Sequence, residues 1–258
     1  MGKIIAIANQ KGGVGKTTTA VNLCAALTKR DRKVLLVDCD PQGNATTGMG
    51  IKKKKVKSLY DVLLRDVPAK EAVVATKYGN VISANADLAG ANVELVPIER
   101  REYLLKEKLE ALREKYDYIW IDCPPSLELL TLNALTAADS VLIPVQSEFY
   151  ALEGLTDLMN TIRLVKLRMN PSLEIEGLAL TMYDNRTKLS SDVEEALREH
   201  YPGKVYKNTI PRNVRLSEAP SHGKPCIAYD KSSKGSRAYL HLANEFLKRQ
   251  KGAKDEDE

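Results

Sequence analysis

The stretch Lys11-Gly12-Gly13-Val14-Gly15-Lys16-Thr17-Thr18 constrains this chain more than any other. The apolar run Ile4–Ala8 before it reads as a buried strand, and Ala20–Leu27 after it has helical spacing and strong helix formers. A strand, a glycine loop and a helix in that order make a site for phosphate. Gly12, Gly13 and Gly15 let backbone N–H groups curl inward without a Cβ in the way, and a helix starting near Lys16 adds its positive end. In that setting Lys16 would reach the β- and γ-phosphates, and Thr17 would offer its hydroxyl to Mg²⁺.

Further buried runs predict strands at 33–38, 80–84, 118–122, 140–145 and 174–182, with a late one at 204–210. Helices are predicted at 59–64, 99–115, 151–169, 192–200 and 235–248. Near-continuous apolar strands alternating with helices imply an α/β fold, a doubly wound and mostly parallel sheet flanked by helices. One domain is expected over 1–250, followed by a disordered charged tail at 251–258.

Two of these strands end in acids. Ligands of open α/β sheets lie outside the carboxyl ends of the strands, so Asp38, Asp40 and Asp122 should gather beside the glycine loop. Carboxylates there cannot touch a triphosphate directly and must serve Mg²⁺ or a water. Four apolar residues ending in Asp122 give the Walker B arrangement, a strand delivering a carboxylate toward Mg²⁺. No side chain looks like a covalent nucleophile, so catalysis would rest on positioning and charge neutralisation. The chain lacks the Asn-Lys-x-Asp motif that reads guanine, which favours ATP over GTP.

A second lysine in the loop, Lys11, is hard to explain within one subunit, because Lys16 can satisfy the loop's own phosphates. The spelling Lys-Gly-Gly-Val-Gly-Lys-Thr resembles the deviant Walker A box of the ParA/MinD ATPases. The stretch Asp38-Cys39-Asp40-Pro41-Gln42, the Asp122-Cys123-Pro124-Pro125 turn and the Pro211-Arg212-Asn213 turn resemble ParA proteins of the Soj type. The resemblance spans Lys3 to about Arg249. It implies that Lys11 contacts nucleotide held by a partner subunit, closing a homodimer over two ATPs, and that Gly12 must stay small where the loops meet. It makes Lys11, Lys16 and Asp40 the catalytic set, with Asp40 aligning the attacking water, and Thr17, Asp38 and Asp122 the magnesium set. The nucleotide set is Lys11, Gly12, Gly13, Val14, Gly15, Lys16, Thr17 and Thr18, joined by Pro211 and Asn213 near adenine. Arg186 and Arg215 match DNA-binding arginines of the family, and the resemblance further implies a ParB-type partner that stimulates hydrolysis.

The formal net charge is +5, yet residues 204–237 alone carry +6. With Arg186 and Arg215, the lysines Lys204, Lys207, Lys231 and Lys234 are therefore candidates for non-specific contact with double-stranded DNA. The lysine-rich stretch 52–57 reads as a solvated loop or an accessory DNA or partner contact. No apolar run is long enough for a membrane span or leader, and nothing strongly apolar follows Leu247, so no membrane attachment is expected. Only eight residues precede Asn9, so no sequence-specific DNA-reading domain is expected there. Four cysteines without CxxC spacing and three scattered histidines suggest neither a disulfide framework nor a metal module. The expected setting is the cytoplasm, in association with the nucleoid. The alternative is a MinD-like cell-positioning switch, with a metal-cluster carrier on the same fold as a third reading.

Overall fold

The computed structural model describes residues 1–53, 56–148 and 151–255, without the side chains of 151–153 and 253–255. One sheet contains β1 (Lys3–Ile7), β2 (Val34–Asp38), β3 (Val73–Thr76), β4 (Gly79–Ile82), β5 (Tyr118–Asp122), β6 (Ser140–Gln146) and β7 (Glu174–Thr181). The helices are α1 (Lys16–Thr28), α2 (Asn44–Gly48), α3 (Leu59–Leu64), α4 (Ala91–Glu94), α5 (Leu104–Glu110) and α6 (Leu129–Ala137). They continue with α7 (Ala151–Arg168), α8 (Lys188–His200), α9 (Val214–Glu218), α10 (Cys226–Tyr229) and α11 (Lys234–Asp255).

The strand order is β3-β4-β2-β5-β1-β6-β7, parallel throughout except for the β3–β4 pair. Alternate residues of each strand feed opposite faces. Ile5, Ile7, Leu36, Trp120 and Leu142 pack under α1 and α11, where Leu23, Leu27, Tyr239 and Phe246 meet them. Ile4, Leu35, Val37, Ile121 and Ile143 face the layer formed by α3, α5, α6, α7 and α8. Packed against both the sheet and α11, α1 is buried without a break from Thr19 to Leu27. The sheet is thus covered on both sides, which is why its central strands are apolar along their whole length.

The chain leaves β1 for β2 across β5, and later leaves β5 for β6 across β1. The connections diverge at β1, so a crevice opens at its carboxyl end, where the glycine loop begins. Register sets the acids there: Asp38 pairs with Asp122, and Ile7 with Asp122 on the other side.

Three expectations are corrected, and one strand was missed. The late strand at 204–210 is reduced to the bridges Leu178↔Val205 and Tyr183↔Pro211. Its ladder is interrupted because the amides of Lys207 and Asn208 donate to the Glu245 carboxylate at 2.8 and 2.9 Å rather than to β7. The helix expected over 99–115 shrinks to α5 between two 3₁₀ turns. Buried Asn133 captures its start, accepting from the Leu105 amide and donating to the Arg101 carbonyl. The edge strand β3 was not legible in three half-buried residues and one exposed one. Finally, α11 runs on through Asp255, so residues 251–255 are helical rather than part of a disordered tail, in spite of Gly252. The last three residues of that tail, like Lys54 and Lys55 of the lysine-rich stretch, lie outside the described residues.

Candidate nucleotide site

The loop after β1 is held open by three anchors. The Asn9 side-chain amide donates to the Pro144 carbonyl at 2.8 Å while its oxygen accepts the Lys11 amide at 3.0 Å. Val14 is buried, and its carbonyl accepts the Thr181 hydroxyl at 2.8 Å. Gly13 (φ +76°) and Gly15 (φ +90°) occupy the left-handed region, where a side chain would strain the backbone. Gly12 differs: a Cβ there would meet nothing within 4 Å.

The two loop lysines separate. Lys16 is only 7 % exposed and its ammonium donates to the Lys11 carbonyl at 3.1 Å, curled under the loop. Burial lowers its pKa, against the pull of Asp122 first and then of Cys123 and Asp40. The Lys11 side chain is 34 % exposed and pairs with Glu148 at 2.9 Å, while Gln146 donates to the other oxygen of that carboxylate. Glu148 carries no signal in the sequence that would have singled it out.

Asp122 lies at the floor, fully buried, and neither carboxylate oxygen has a hydrogen-bond partner. Burial first, then the charge of Asp38, pushes its pKa well above the ordinary carboxylate value; the nearby Thr17 hydroxyl works the other way. A buried carboxylate with two free oxygens fits a hard cation, which takes oxygen ligands. No group of three or more His, Cys, Asp or Glu able to hold a metal occurs among the described residues. A cation at Asp122 would therefore complete its shell with Thr17, phosphate and water.

Asp38, expected in the magnesium shell, is spent differently. Its Oδ2 accepts both the amide and the hydroxyl of Thr46, at 2.7 and 2.6 Å, and Oδ1 accepts the Asp40 amide at 3.3 Å. It braces the loop carrying Asp40 instead of facing the crevice with a free oxygen. Burial raises its pKa to about 6 in spite of the Thr46 hydrogen bonds. Asp40 is half-buried at the rim, its Oδ1 accepting the Gln42 amide at 2.9 Å.

Beside the loop a cleft of about 400 Å³ is lined by Gly15, Thr18, Thr181, Met182, Pro211 and Asn213. The bridge between Tyr183 and Pro211 brings the Pro211-Arg212-Asn213 turn there. The Asn213 Oδ1 atom is buried and unpartnered, an acceptor available to a ligand's N–H.

Residues 2–175 match the model of a family described as AAA domain. The Bacillus subtilis sporulation initiation inhibitor protein Soj is 60 % identical over 248 residues, covering 95 % of this chain and 98 % of that protein. The Myxococcus xanthus chromosome partitioning protein ParA is 54 % identical over 96 % of this chain and 89 % of its own length. The chain belongs to the ParA/Soj family of P-loop ATPases. Among solved structures, a Mycobacterium smegmatis protein named cobyrinic acid a,c-diamide synthase, with an ATP analog and magnesium bound, superposes with a TM-score of 0.85. It is 40 % identical over 98 % of this chain and 97 % of its own.

The basic residues that suggested DNA contact in this ParA/Soj chain do not form one patch. Arg186, 84 % exposed and paired with Asp184 at 2.7 Å, lines an open cleft with Arg212 and Lys234 beyond the Pro211 turn. Arg215 pairs with Glu218 at 2.7 Å and Asp230 at 3.4 Å, next to exposed Lys231. Lys204 instead donates to the Ile175 carbonyl near the start of β7, at the opposite end of that strand from Arg186. Lys207 lies in a separate groove with His241, Glu245 and Lys248 of α11. Tertiary structure thus sets Lys204 and Lys207 apart from Arg186 and Arg215.

Proposed function

We propose that this chain is a magnesium-dependent ATPase switch: ATP closes two copies face to face, and the closed dimer grips double-stranded DNA without regard to sequence. Hydrolysis, stimulated by a ParB-type partner, releases the DNA and so drives segregation of a chromosome or plasmid on the nucleoid in the cytoplasm. Val14, Lys16, Thr18 and the loop glycines hold the phosphates, and Pro211 and Asn213 flank the base. Thr17 and Asp122 hold Mg²⁺, which when bound neutralises phosphate charge. Asp40 aligns the attacking water, and Asp38 keeps the loop under Asp40 in place.

The observation that carries the reading is the separation of the two lysines. Lys16 is folded under its own loop, where it would meet that loop's phosphates, while Lys11 stands at the rim beside bare Gly12. From there it is free to exchange one carboxylate, Glu148, for the denser negative charge of a neighbour's triphosphate. Two basic faces held together then bind DNA with an avidity neither has alone.

The MinD-like alternative draws no support from α11, whose apolar residues Tyr239, Leu242, Ala243 and Phe246 are buried against the sheet. Among the described residues, no helix is long and apolar enough to cross a membrane. The cluster-carrier reading fares no better. Cys39 and Cys123 are buried among the apolar residues of the core, as small space-filling side chains are. The amide-synthase name of the mycobacterial neighbour is not carried over, because the relatives of higher identity have the Soj and ParA names.

The test is Asp40→Ala, examined by light scattering with saturating Mg·ATP, with and without plasmid DNA. The variant should bind ATP, dimerise, retain DNA and fail to turn over. A variant that stays monomeric under those conditions defeats the sandwich reading.

A further inference from the structure

We propose that Thr46 is a positioning residue for ATP hydrolysis, holding Asp40 through the carboxylate of Asp38. Thr46 is the third residue of α2, fully buried, and its hydroxyl is engaged in both directions. It donates to Asp38 Oδ2 at 2.6 Å and accepts the Ala84 amide at 2.9 Å, while the Thr46 amide donates to the same Oδ2 at 2.7 Å. Ala84 follows β4, so one hydroxyl ties the end of β2 to the end of β4 through α2.

The consequence reaches Asp40 because the Asp38 carboxylate has two ends. With Oδ2 fixed by two donors from Thr46, the plane of the group is set, and Oδ1 is left where it accepts the Asp40 amide. Between these points runs the loop 39–45, and Ala84 holds it from a second direction. Gly43 has φ +59°, and a Cβ on it would come within 2.8 Å of the Ala84 carbonyl. Lys53 closes the outer side by donating to the Gln42 carbonyl. The loop is therefore located from the β4 side by backbone groups and by one side-chain hydroxyl. That hydroxyl is the only part of the brace that a substitution can remove without changing volume. Thr46→Val does this, and Thr46→Ser keeps the hydroxyl while losing a methyl.

The inference rests on the reading of Asp40 as the residue that aligns water, so both are tested together on the full-length protein. Steady-state ATPase rates with saturating DNA, the dissociation constant of a fluorescent Mg·ATP analogue and the thermal midpoint are measured for Thr46→Val, Thr46→Ser and Asp40→Ala. Loss of a hydrogen bond to a buried carboxylate that orders the hydrolytic loop should lower kcat by about tenfold or more in Thr46→Val. Nucleotide affinity should stay within about threefold, and Thr46→Ser should recover most of the rate. Turnover by Thr46→Val within about twofold of the parent, beside an inactive Asp40→Ala, overturns the role of Thr46 alone. A loss shared equally by affinity and not rescued by serine likewise reduces Thr46 to a structural residue. A fully active Asp40→Ala instead overturns the underlying reading. If Thr46→Val is too unstable to assay, Thr46→Cys, a weaker donor of similar size, should show a smaller loss in kcat; a rate equal to the parent's refutes the proposal.

Discussion

Asp122→Asn should make the nucleotide-free protein at least as stable as the parent and take away its response to magnesium. The Asp122 carboxylate is fully buried, and neither oxygen has a partner. A buried polar group left unsatisfied costs about 1–3 kcal/mol, and a charged one costs more. Asparagine keeps the shape and removes the charge, so the gain without nucleotide is expected at about 1–3 kcal/mol. In a chain of this size that raises the thermal midpoint by roughly 2–4 °C per kcal/mol. The sign with pH follows from the raised pKa. The native state holds the Asp122 proton more tightly than the unfolded chain, so parent stability falls as pH rises from the ordinary carboxylate range through the native value. The variant's advantage is therefore largest at alkaline pH and shrinks on acidification. Bound Mg·ATP reverses the order: at a hundred times its dissociation constant, a ligand stabilises the parent by about 2.7 kcal/mol. The variant should gain no more from Mg·ATP than from ATP with EDTA. Urea titrations at pH 6 and 8, each with and without nucleotide, read all of this. A nucleotide-free variant less stable than the parent by more than about 1 kcal/mol would refute the argument that the carboxylate waits for a cation. An undiminished magnesium response would refute it too.

Two other outcomes are expected. Asp38, with its pKa raised by burial to about 6 against an ordinary 3.8, binds its proton more tightly in the native state. Its contribution to stability is complete below the lower value and is lost as pH climbs between them, so Asp38→Asn should flatten the urea-derived stability profile across that window. On DNA, Arg186→Glu and Arg215→Glu should weaken retention of sheared duplex by the ATP-bound protein. Each should also reduce the slope of log affinity against log salt by about 1. Lys204→Glu, at the far end of β7, should leave both quantities unchanged; an equal loss from Lys204→Glu would place the DNA face elsewhere.

Much of the frame was legible because it is written in consecutive residues. Glycines before Lys16-Thr17, apolar runs ending in Asp38 and Asp122, and a mostly apolar helix after the loop each carry their meaning within a dozen positions. The weak places were those where a distant group takes over a backbone bond. Glu245 claims the amides that would have continued a strand at Lys207 and Asn208, and Asn133 claims the ends that would have lengthened α5. Neither competitor has a local signature. The split among the basic residues was hidden for a related reason. Lys204 and Arg215 are near in sequence, but the segment between them runs alongside β7 and carries them to opposite ends of it.

The sequence by itself therefore determined the class of fold, the end of the sheet at which chemistry would gather, and the residue types available there. Those follow from backbone freedom at glycine and from the period of apolar residues, which act locally. Tertiary structure alone decided the condition of each side chain. It left Asp122 unpartnered, Asp38 saturated by Thr46, Lys16 folded under its loop and Lys11 turned out to Glu148. Hydrogen-bond satisfaction and burial depend on which strands are neighbours and in what register, and that is set only when the whole sheet has packed.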